Sequence, residues 1–361
     1  MIILGLETSC DETACAVVEN GTTILSNVVA SSQDIHAKYG GIIPENAARE
    51  QAKAMIPVLK EALALSAVEG STIDAIAVTV GPGLIGSLLI GVETAKALAF
   101  AWNKPLVPVN HLVGHIYANW LKPENSENSE SQKIRRSDRS ENLKLQNSEF
   151  SDRPSFPNIV LLVSGGHTEL ILMTGHGKFE YLGGTRDDAA GECFDKGARL
   201  LNLGYPGGPA ISAAADESRI KNQESGIKLP RPMIYDKGFD FSFSGLKTAV
   251  LNLTANRSPL NASAVAYELQ EAITDVLVAK TLRAAQNFKV KNILLAGGVV
   301  ANKKLREKFQ FQISNFKFQI KLCVPPPSLC TDNAAYIASA AFFNYHPVPW
   351  QKVDADPSLD I

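Results

Sequence analysis

The sequence lacks an excess of charge, a regular cysteine pattern and a long uninterrupted apolar run. Its 35 basic and 37 acidic side chains leave a formal net charge of −2, so contact with nucleic acid needs a local patch or a helper protein. The five cysteines include no Cys-x-x-Cys pair, which argues against a disulfide framework or a four-cysteine zinc site. No stretch of about 18 apolar residues and no signal-peptide pattern is present. We therefore expect a soluble, cytoplasmic protein without a membrane partner.

The length and composition indicate two lobes. The chain has 361 residues, roughly twice a common single-domain length of about 150. Hydrophobic residues make up 45% and charged residues 20%, which is enough apolar material for two buried cores. We expect the two lobes to share a deep cleft.

A strand, polar turn, strand pattern occurs twice along the chain. The first copy consists of Ile2–Leu6 and Ala14–Val18 around a polar turn. The second copy consists of Ile159–Val163 and Glu169–Met173 around a Ser-Gly-Gly-His-Thr turn. This repetition indicates a weak internal duplication, with one copy near the start of each lobe.

Each half also contains a strand that runs through glycines into a helix. In the first half, Ala75–Val80 precedes Gly81, Gly83 and a helix over 84–100. In the second half, Asn292–Ala296 precedes a Gly-Gly pair and a helix over 302–309. Glycines at these places are expected to let backbone amides approach a ligand at a helix N-terminus.

Two such lobes resemble the two-lobed α/β superfold shared by actin, sugar kinases and the large heat-shock ATPases, the actin-like ATPase fold, in which nucleotide occupies the cleft. We predict an N-terminal lobe over 1–122 and a C-terminal lobe over 154–343, with a helical insertion around 205–260. The tail 344–361 is predicted to pack back on the N-terminal lobe. The likeness of fold by itself specifies no chemistry.

Two segments break the pattern. The stretch 123–153 is rich in Ser, Asn, Glu, Lys and Arg and has few apolar residues, so we predict a disordered polar insertion. The stretch Lys308–Lys321 alternates aromatic residues with Gln and Lys. It is either an extension of an edge strand or a basic, aromatic surface suited to RNA.

His111 and His115 are the first candidates for chemistry. They are four residues apart, so on a helix they share one face with Cβ atoms about 6 Å apart, close enough to hold one ion. Packing in a core is the alternative interpretation. A metalloprotease needs Glu directly after the first His, and Leu112 stands there.

Three other polar positions have two interpretations each. Asp332 begins the helix Ala334–Phe343, either as its N-cap or as a third metal ligand. Asp195 lies on a helix that begins near two acidic residues, and it faces either solvent or the cleft. The Ser164-Gly165-Gly166 turn is either a tight hairpin or a group of amides that bind ligand oxygens.

Ten segments in this order carry a family resemblance: GLETSCDET, YGGIIPE, GPGLIGSLLIG, NHLVGH, LVSGGHT, DDAAGECFDKGARLL, YPGGP, DFSFSGLKTA, AGGVVANKKLR and CTDNAA. Each segment is common by itself, but their combination is specific. The chain resembles the bacterial tRNA N6-adenosine threonylcarbamoyltransferase family outside 123–153 and 308–321. The resemblance implies transfer of a threonylcarbamoyl group from threonylcarbamoyl-AMP to N6 of adenosine 37 in tRNAs that read ANN codons.

The resemblance also implies site residues and partners. The implied ligands of one Fe²⁺ or Zn²⁺ ion are His111, His115 and Asp332. The implied donor contacts are Leu162, Val163, Ser164, Gly165 and Gly166, with Asp195, Gly208 and Asn302 on the nucleotide part. Asp11 and Glu12 are candidates to orient or deprotonate the amine. The implied partners are tRNA, a paralogous actin-like subunit and a P-loop ATPase.

The sequence departs from the family pattern beside the histidines. Asn110 and Val113 stand where His and Glu are expected, which puts the outer support of the metal in question. Two alternatives to the transferase stay open. One is a small-molecule kinase of the same superfold, which would hold Mg²⁺ on carboxylates. The other is a non-catalytic scaffold subunit.

Overall fold

A computed structural model describes residues 1–32, 36, 41–122, 153–220, 226–256, 261–315 and 319–361, and these contain two five-stranded mixed sheets. The first sheet has the order β3-β2-β1-β4-β5, with β1 Ile2–Glu7, β2 Glu12–Glu19, β3 Thr23–Ser31, β4 Ala75–Gly81 and β5 Leu106–Asn110. The second has the order β10-β9-β6-β7-β8, with β6 Asn158–Val163, β7 Thr168–Gly175, β8 Lys178–Gly184, β9 Asn292–Ala296 and β10 Lys321–Cys323. The insertion predicted over 123–153 lies outside the described residues except for its last position.

The two sheets have the same core topology. β1 pairs antiparallel with β2 and parallel with β4, and β6 pairs antiparallel with β7 and parallel with β9. The central strands are buried on both faces, which explains why they are continuous apolar runs rather than alternating ones. The repeated strand, turn, strand pattern therefore corresponds to one equivalent hairpin in each sheet.

The described helices are α1 Pro44–Ser66, α2 Ile85–Trp102, α3 His111–Tyr117, α4 Ala190–Leu200, α5 Gly207–Ile220, α6 Ser244–Asn256, α7 Ala262–Asn287, α8 Lys303–Ser314 and α9 Ala334–Phe343. By length and composition α2 could cross a membrane, and here it packs against α1 and β4. Helix α9 follows the strands of the second sheet in sequence but packs on β1, β2 and α3. Its apolar residues join one cluster with Val160 and Leu162 of the second sheet. An apolar layer therefore joins the two sheets, while the predicted lobe boundaries stay a prediction.

The residues beyond α9 run along the first sheet. The Val348 N–H donates to the Leu106 carbonyl at 2.8 Å, and the Asp356 N–H donates to the Val80 carbonyl at 2.7 Å. The Trp350 ring lies edge-on to Phe100, with centroids 5.6 Å apart. These contacts place the C-terminal segment against β4, β5 and the last turn of α2.

The glycines before α2 serve the packing of the chain on itself rather than a ligand. A Cβ on Gly83 would lie 2.5 Å from the Ser9 carbonyl oxygen, and one on Gly81 would overlap the Asp356 carbonyl. The Leu84 N–H at the helix start donates to the Ser9 carbonyl at 2.8 Å. The expectation of a ligand at this helix N-terminus is therefore wrong, because the first hairpin and the tail occupy the space.

The segment 308–321 is mainly helical where it is described. The edge-strand interpretation is wrong for residues 308–314, which continue α8. Leu305 and Phe309 are buried four residues apart and Ile313 is half-buried, which is the spacing of a helix face. Phe311 is exposed. The alternative of an RNA-facing surface stays a prediction.

Candidate metal centre

Helix α3 presents two histidines side by side. The Asn110 side chain begins the helix by accepting from the N–H groups of Leu112 at 2.8 Å and Val113 at 3.2 Å. The rings of His111 and His115 follow on one face, with centroids 4.7 Å apart. The residue that replaces an expected His is thus a strong N-cap, so the start of the helix keeps its support.

Asp332 lies against both histidines and does not cap its helix. Its Oδ1 is 3.3 Å from His115 Nε2 and 3.7 Å from His111 Nε2. Asn333 caps α9 instead, accepting from two N–H groups of the first turn at 3.1 and 3.3 Å. The Tyr336 hydroxyl donates to Asp332 Oδ1 at 3.4 Å. The cap interpretation of Asp332 is therefore wrong, and its carboxylate is available to an ion.

These three side chains fit a divalent metal. One donor atom from each lies within 4.8 Å of the other two. Zinc ligands stand about 2.0–2.2 Å from the ion, so two ligands of one ion are roughly 3–4 Å apart. A contraction of well under 1 Å per side chain would bring them to this spacing. Among the described residues this is the one cluster of His, Cys, Asp or Glu with such spacing.

Glu7 is a functional candidate that the sequence analysis missed. Its side chain is fully buried, and its Oε2 is 3.0 Å from His111 Nδ1. The Thr79 hydroxyl donates to the same oxygen at 2.6 Å, and the Ser9 N–H donates to Oε1. This carboxylate fixes Nδ1–H on His111 and leaves Nε2 free for a metal. The available signal was an acidic residue at the end of an otherwise apolar, buried strand.

Burial and neighbouring charges shift the pKa values of the three candidate ligands. Burial lowers the pKa of His111, but the carboxylates of Glu7 and Asp332 outweigh this and raise it to about 9. Burial raises the pKa of Asp332, and the two histidines lower it to about 2. Burial lowers the pKa of His115, which favours a neutral ligand. A metal must therefore displace a proton from His111, and its affinity should fall as the pH falls.

Replacing Glu7 with Gln is expected to weaken metal binding about 10- to 100-fold, the usual cost of losing an outer-shell carboxylate. The glutamine amide has no negative charge to stabilise His111. Its NH₂ group would also face one of the donors that the Glu7 carboxylate accepts from, the Thr79 hydroxyl or the Ser9 N–H. Zn²⁺ titration of the metal-free protein measures the effect, with Glu93→Gln on the exposed face of α2 as the control. Equal affinity of Glu7→Gln and wild type would mean that Glu7 serves only the fold.

The turn between β6 and β7 offers two free backbone donors. The Ser164 N–H is used, because it donates to the His167 carbonyl at 2.9 Å. Gly165 and Gly166 are exposed, and their N–H groups have no acceptor among the described residues. A Cβ on either would meet open space. Two of the three predicted amides can therefore reach a ligand oxygen.

His167, the last residue of this turn, is electrostatically coupled to the metal cluster. Burial lowers the pKa of His167, and His111 and His115 lower it further. Leu162 and Val163 have fully buried side chains in the sheet. Only their backbone can serve a ligand, and they hold the turn in place.

The three residues predicted to contact the nucleotide differ in the hydrogen bonds that they already make within the protein. Asp195 Oδ1 accepts from the Gly207 N–H at 2.7 Å, whereas Gly208 borders open space. Asn302 accepts from the Leu305 N–H as the cap of α8, and its Nδ2 donates to Ser212 and Gln270. Its side chain therefore joins α5, α7 and α8, and its contact with the nucleotide stays a prediction.

Asp11 and Glu12 lie where the first hairpin turn meets the start of β2. Gln51 donates to the Cys10 and Glu12 carbonyls at 3.1 and 2.9 Å, which fixes the turn. Burial raises the pKa of Tyr205 to about 12, with further contributions from Asp195 and Asp11. Burial, followed by the charges of Asp332 and Asp11, holds the pKa of Glu12 well above its usual range.

Two matching sheets joined by an apolar layer, with a His/His/Asp cluster beside that layer, define a two-lobed α/β protein with a candidate metal site. The fold is the actin-like ATPase fold. A family model described as tRNA N6-adenosine threonylcarbamoyltransferase matches residues 23–129 and 142–339. The chain therefore belongs to the tRNA N6-adenosine threonylcarbamoyltransferase family, and the family prediction is confirmed.

Curated relatives and solved structures agree with this assignment. The chain is 47% identical to the tRNA N6-adenosine threonylcarbamoyltransferases of Thermomicrobium roseum and Bacillus cereus, covering 100% of this chain and 95% and 96% of theirs. HypF of T. kodakarensis is 14% identical with a TM-score of 0.57, over 95% of this chain and 47% of that one. Component A of the Acidaminococcus fermentans (R)-2-hydroxyglutaryl-CoA dehydratase is 12% identical with a TM-score of 0.51, over 96% and 98%. The structural likenesses support the predicted fold.

Proposed function

We propose that this chain transfers the threonylcarbamoyl group of threonylcarbamoyl-AMP to N6 of adenosine 37 in tRNAs that read ANN codons. The observation that carries the proposal is the cluster of His111, His115 and Asp332 in a chain of this family, and the free amides of the β6–β7 turn support it. The reaction forms a bond from N6 to the carbamoyl carbon and breaks the bond from that carbon to phosphate oxygen. AMP leaves, and the amine loses one proton.

The chain's own residues supply orientation and charge stabilisation. A bound divalent ion supplies a Lewis acid for carbonyl or phosphate oxygens. The amides of Gly165 and Gly166, which have no acceptor among the described residues, are proposed to donate to the oxygen on which negative charge develops. The nucleotide part lies toward Asp195 and Gly208, and Asn302 supports that wall. No covalent enzyme intermediate is needed, because AMP is already a good leaving group.

Asp11 is the better candidate for the proton acceptor. Burial, followed by the charges of Asp332 and Asp11, raises the pKa of Glu12 to about 10, so this carboxyl is protonated at neutral pH. A protonated carboxyl cannot accept the proton of the amine, which leaves Asp11 for that role and Glu12 to orient the amine.

The proposed cofactor is based on the ligand set, and the proposed partners are based on the net charge of the chain. Two imidazoles and one carboxylate suit Fe²⁺ or Zn²⁺ with open positions for substrate oxygens. The net charge of −2 offers no general attraction for tRNA, so we propose that a paralogous actin-like subunit and a P-loop ATPase assist the reaction. We further propose a cytoplasmic location without a membrane partner.

Reconstitution tests the proposal directly. Purified chain, metal, partner subunits, threonylcarbamoyl-AMP and unmodified tRNA are combined, and the digested tRNA is analysed by mass spectrometry. We expect threonylcarbamoyladenosine only when the chain is present. Phosphorylation of sugars or acetate with ATP would favour the kinase alternative. Full activity of the partners without this chain would favour a scaffold.

A further inference from the structure

The C-terminal ends of α3 and α9 meet at the tip of the β7–β8 hairpin. Helix α3 carries His111 and His115, and α9 directly follows Asp332-Asn333. Helix α3 ends at Tyr117, and α9 ends at its cap residue Asn344. The Tyr117 hydroxyl donates to Asn344 Oδ1 at 3.2 Å, and His176 Nδ1, at 3.0 Å, can donate to the tyrosine oxygen. One buried hydroxyl therefore joins α3, α9 and a hairpin of the second lobe.

The hairpin tip fits closely against the end of α9. The His176 ring stacks on Phe343 with centroids 4.4 Å apart and 13° between the planes, and it lies edge-on to Phe156 at 4.9 Å. Gly177 has a φ of +66°, and a Cβ there would lie 2.7 Å from Asn344 Oδ1. The tip therefore lies in close contact with the end of α9, with no room for a Cβ at Gly177.

Strand β7 connects this contact to the turn between β6 and β7, which carries Gly165 and Gly166 and is called the substrate turn below. The strand starts at Thr168, directly after the Ser-Gly-Gly-His turn, and ends at Gly175, directly before His176. Eight strand residues span about 25 Å, and the six steps of α3 from His111 to Tyr117 span about 9 Å. The same strand therefore carries the substrate turn at one end and contacts the ligand helices at the other.

We propose that His176 is a positioning residue that acts through Tyr117 and Asn344. It fixes α3 against α9, and so fixes the spacing of His111 and His115 from Asp332. Through β7 it also fixes the distance from this cluster to the amides of the substrate turn. The catalytic consequence rests on the proposed function, whereas the effect on metal binding is independent of it.

Cobalt binding tests the proposal without the transfer reaction. Co²⁺ alone is titrated into full-length, metal-free protein, and the dissociation constant and the visible spectrum are recorded. Tyr117→Phe and His176→Leu should each weaken binding about tenfold, at the low end for outer-shell changes, and alter the spectrum. The double variant should be no weaker than the weaker single one, since both remove one contact. His176→Asn keeps a polar atom near the Nδ1 position and should restore most of the affinity.

Tyr345→Phe is the matched control, because it removes a hydroxyl from the residue next to Asn344 and should leave Co²⁺ binding unchanged. If Tyr117→Phe and His176→Leu lower the melting temperature but keep wild-type affinity and spectrum, the contact is only structural and the proposal is wrong. Failure of the wild type to bind Co²⁺ would overturn both this proposal and the metal in the proposed function. Cobalt binding without any transfer would overturn the proposed function alone.

Discussion

Replacement of His115 by alanine is expected to abolish stoichiometric metal binding and to lower the transfer rate by about 10³-fold or more. The side chain is buried, and its Nε2 points at Asp332 from 3.3 Å. Loss of a Lewis acid removes several kcal/mol of charge stabilisation, and each 1.36 kcal/mol is tenfold in rate. Elemental analysis and the reconstituted tRNA assay measure the two effects.

Two further variants separate loss of the ion from loss of the fold. Asp332→Asn has nearly the same shape, and it should also lose metal and activity while the protein stays folded by circular dichroism. His346→Ala removes an exposed imidazole past the end of α9 and should behave as wild type. Full tRNA modification by metal-free His115→Ala protein would rule out any catalytic role of the ion.

The second large effect concerns the carboxyl pair of the first hairpin. Asp11→Asn should lower the transfer rate about 10²- to 10⁴-fold, the usual contribution of a positioned general base. Glu12→Gln should cost much less, because a carboxyl that is already protonated at neutral pH does not act as the base and the neutral amide has nearly the same shape. The measurement is the single-turnover rate with preformed donor, so that donor synthesis does not limit the reaction.

The pH dependence tests the protonation of Glu12. The pKa of Glu12 is raised to about 10, so its carboxyl is already protonated at neutral pH, and Glu12→Gln should leave the pH–rate profile near neutral pH unchanged. A larger loss in Glu12→Gln than in Asp11→Asn would reverse the assignment. Asp354→Asn, an exposed carboxylate in the C-terminal segment, is the control.

Local sequence rules predicted much of the fold. The apolar runs of β1, β6 and β9 are buried on both faces, so their side chains identify them without any tertiary information. The i, i+4 spacing of His111 and His115 likewise specifies a shared helix face once α3 forms. The alternation over 308–314 was misleading, because a period of two competed with the helical spacing of Leu305 and Phe309.

The sequence by itself determined the family, the repeated strand, turn, strand pattern and the chemical types of the candidate ligands, since these depend on neighbouring residues and on segment order. Only the tertiary structure decided that Asn333 rather than Asp332 caps α9, that Glu7 holds His111 Nδ1 and that the Asn302 side chain joins three helices. Each of these is a contact between residues far apart in the chain or a choice between adjacent side chains. The physical reason is that hydrogen bonding and burial depend on which atoms are in contact in the folded chain. One sequence pattern is compatible with several sets of contacts, and the packing of the lobes selects one of them.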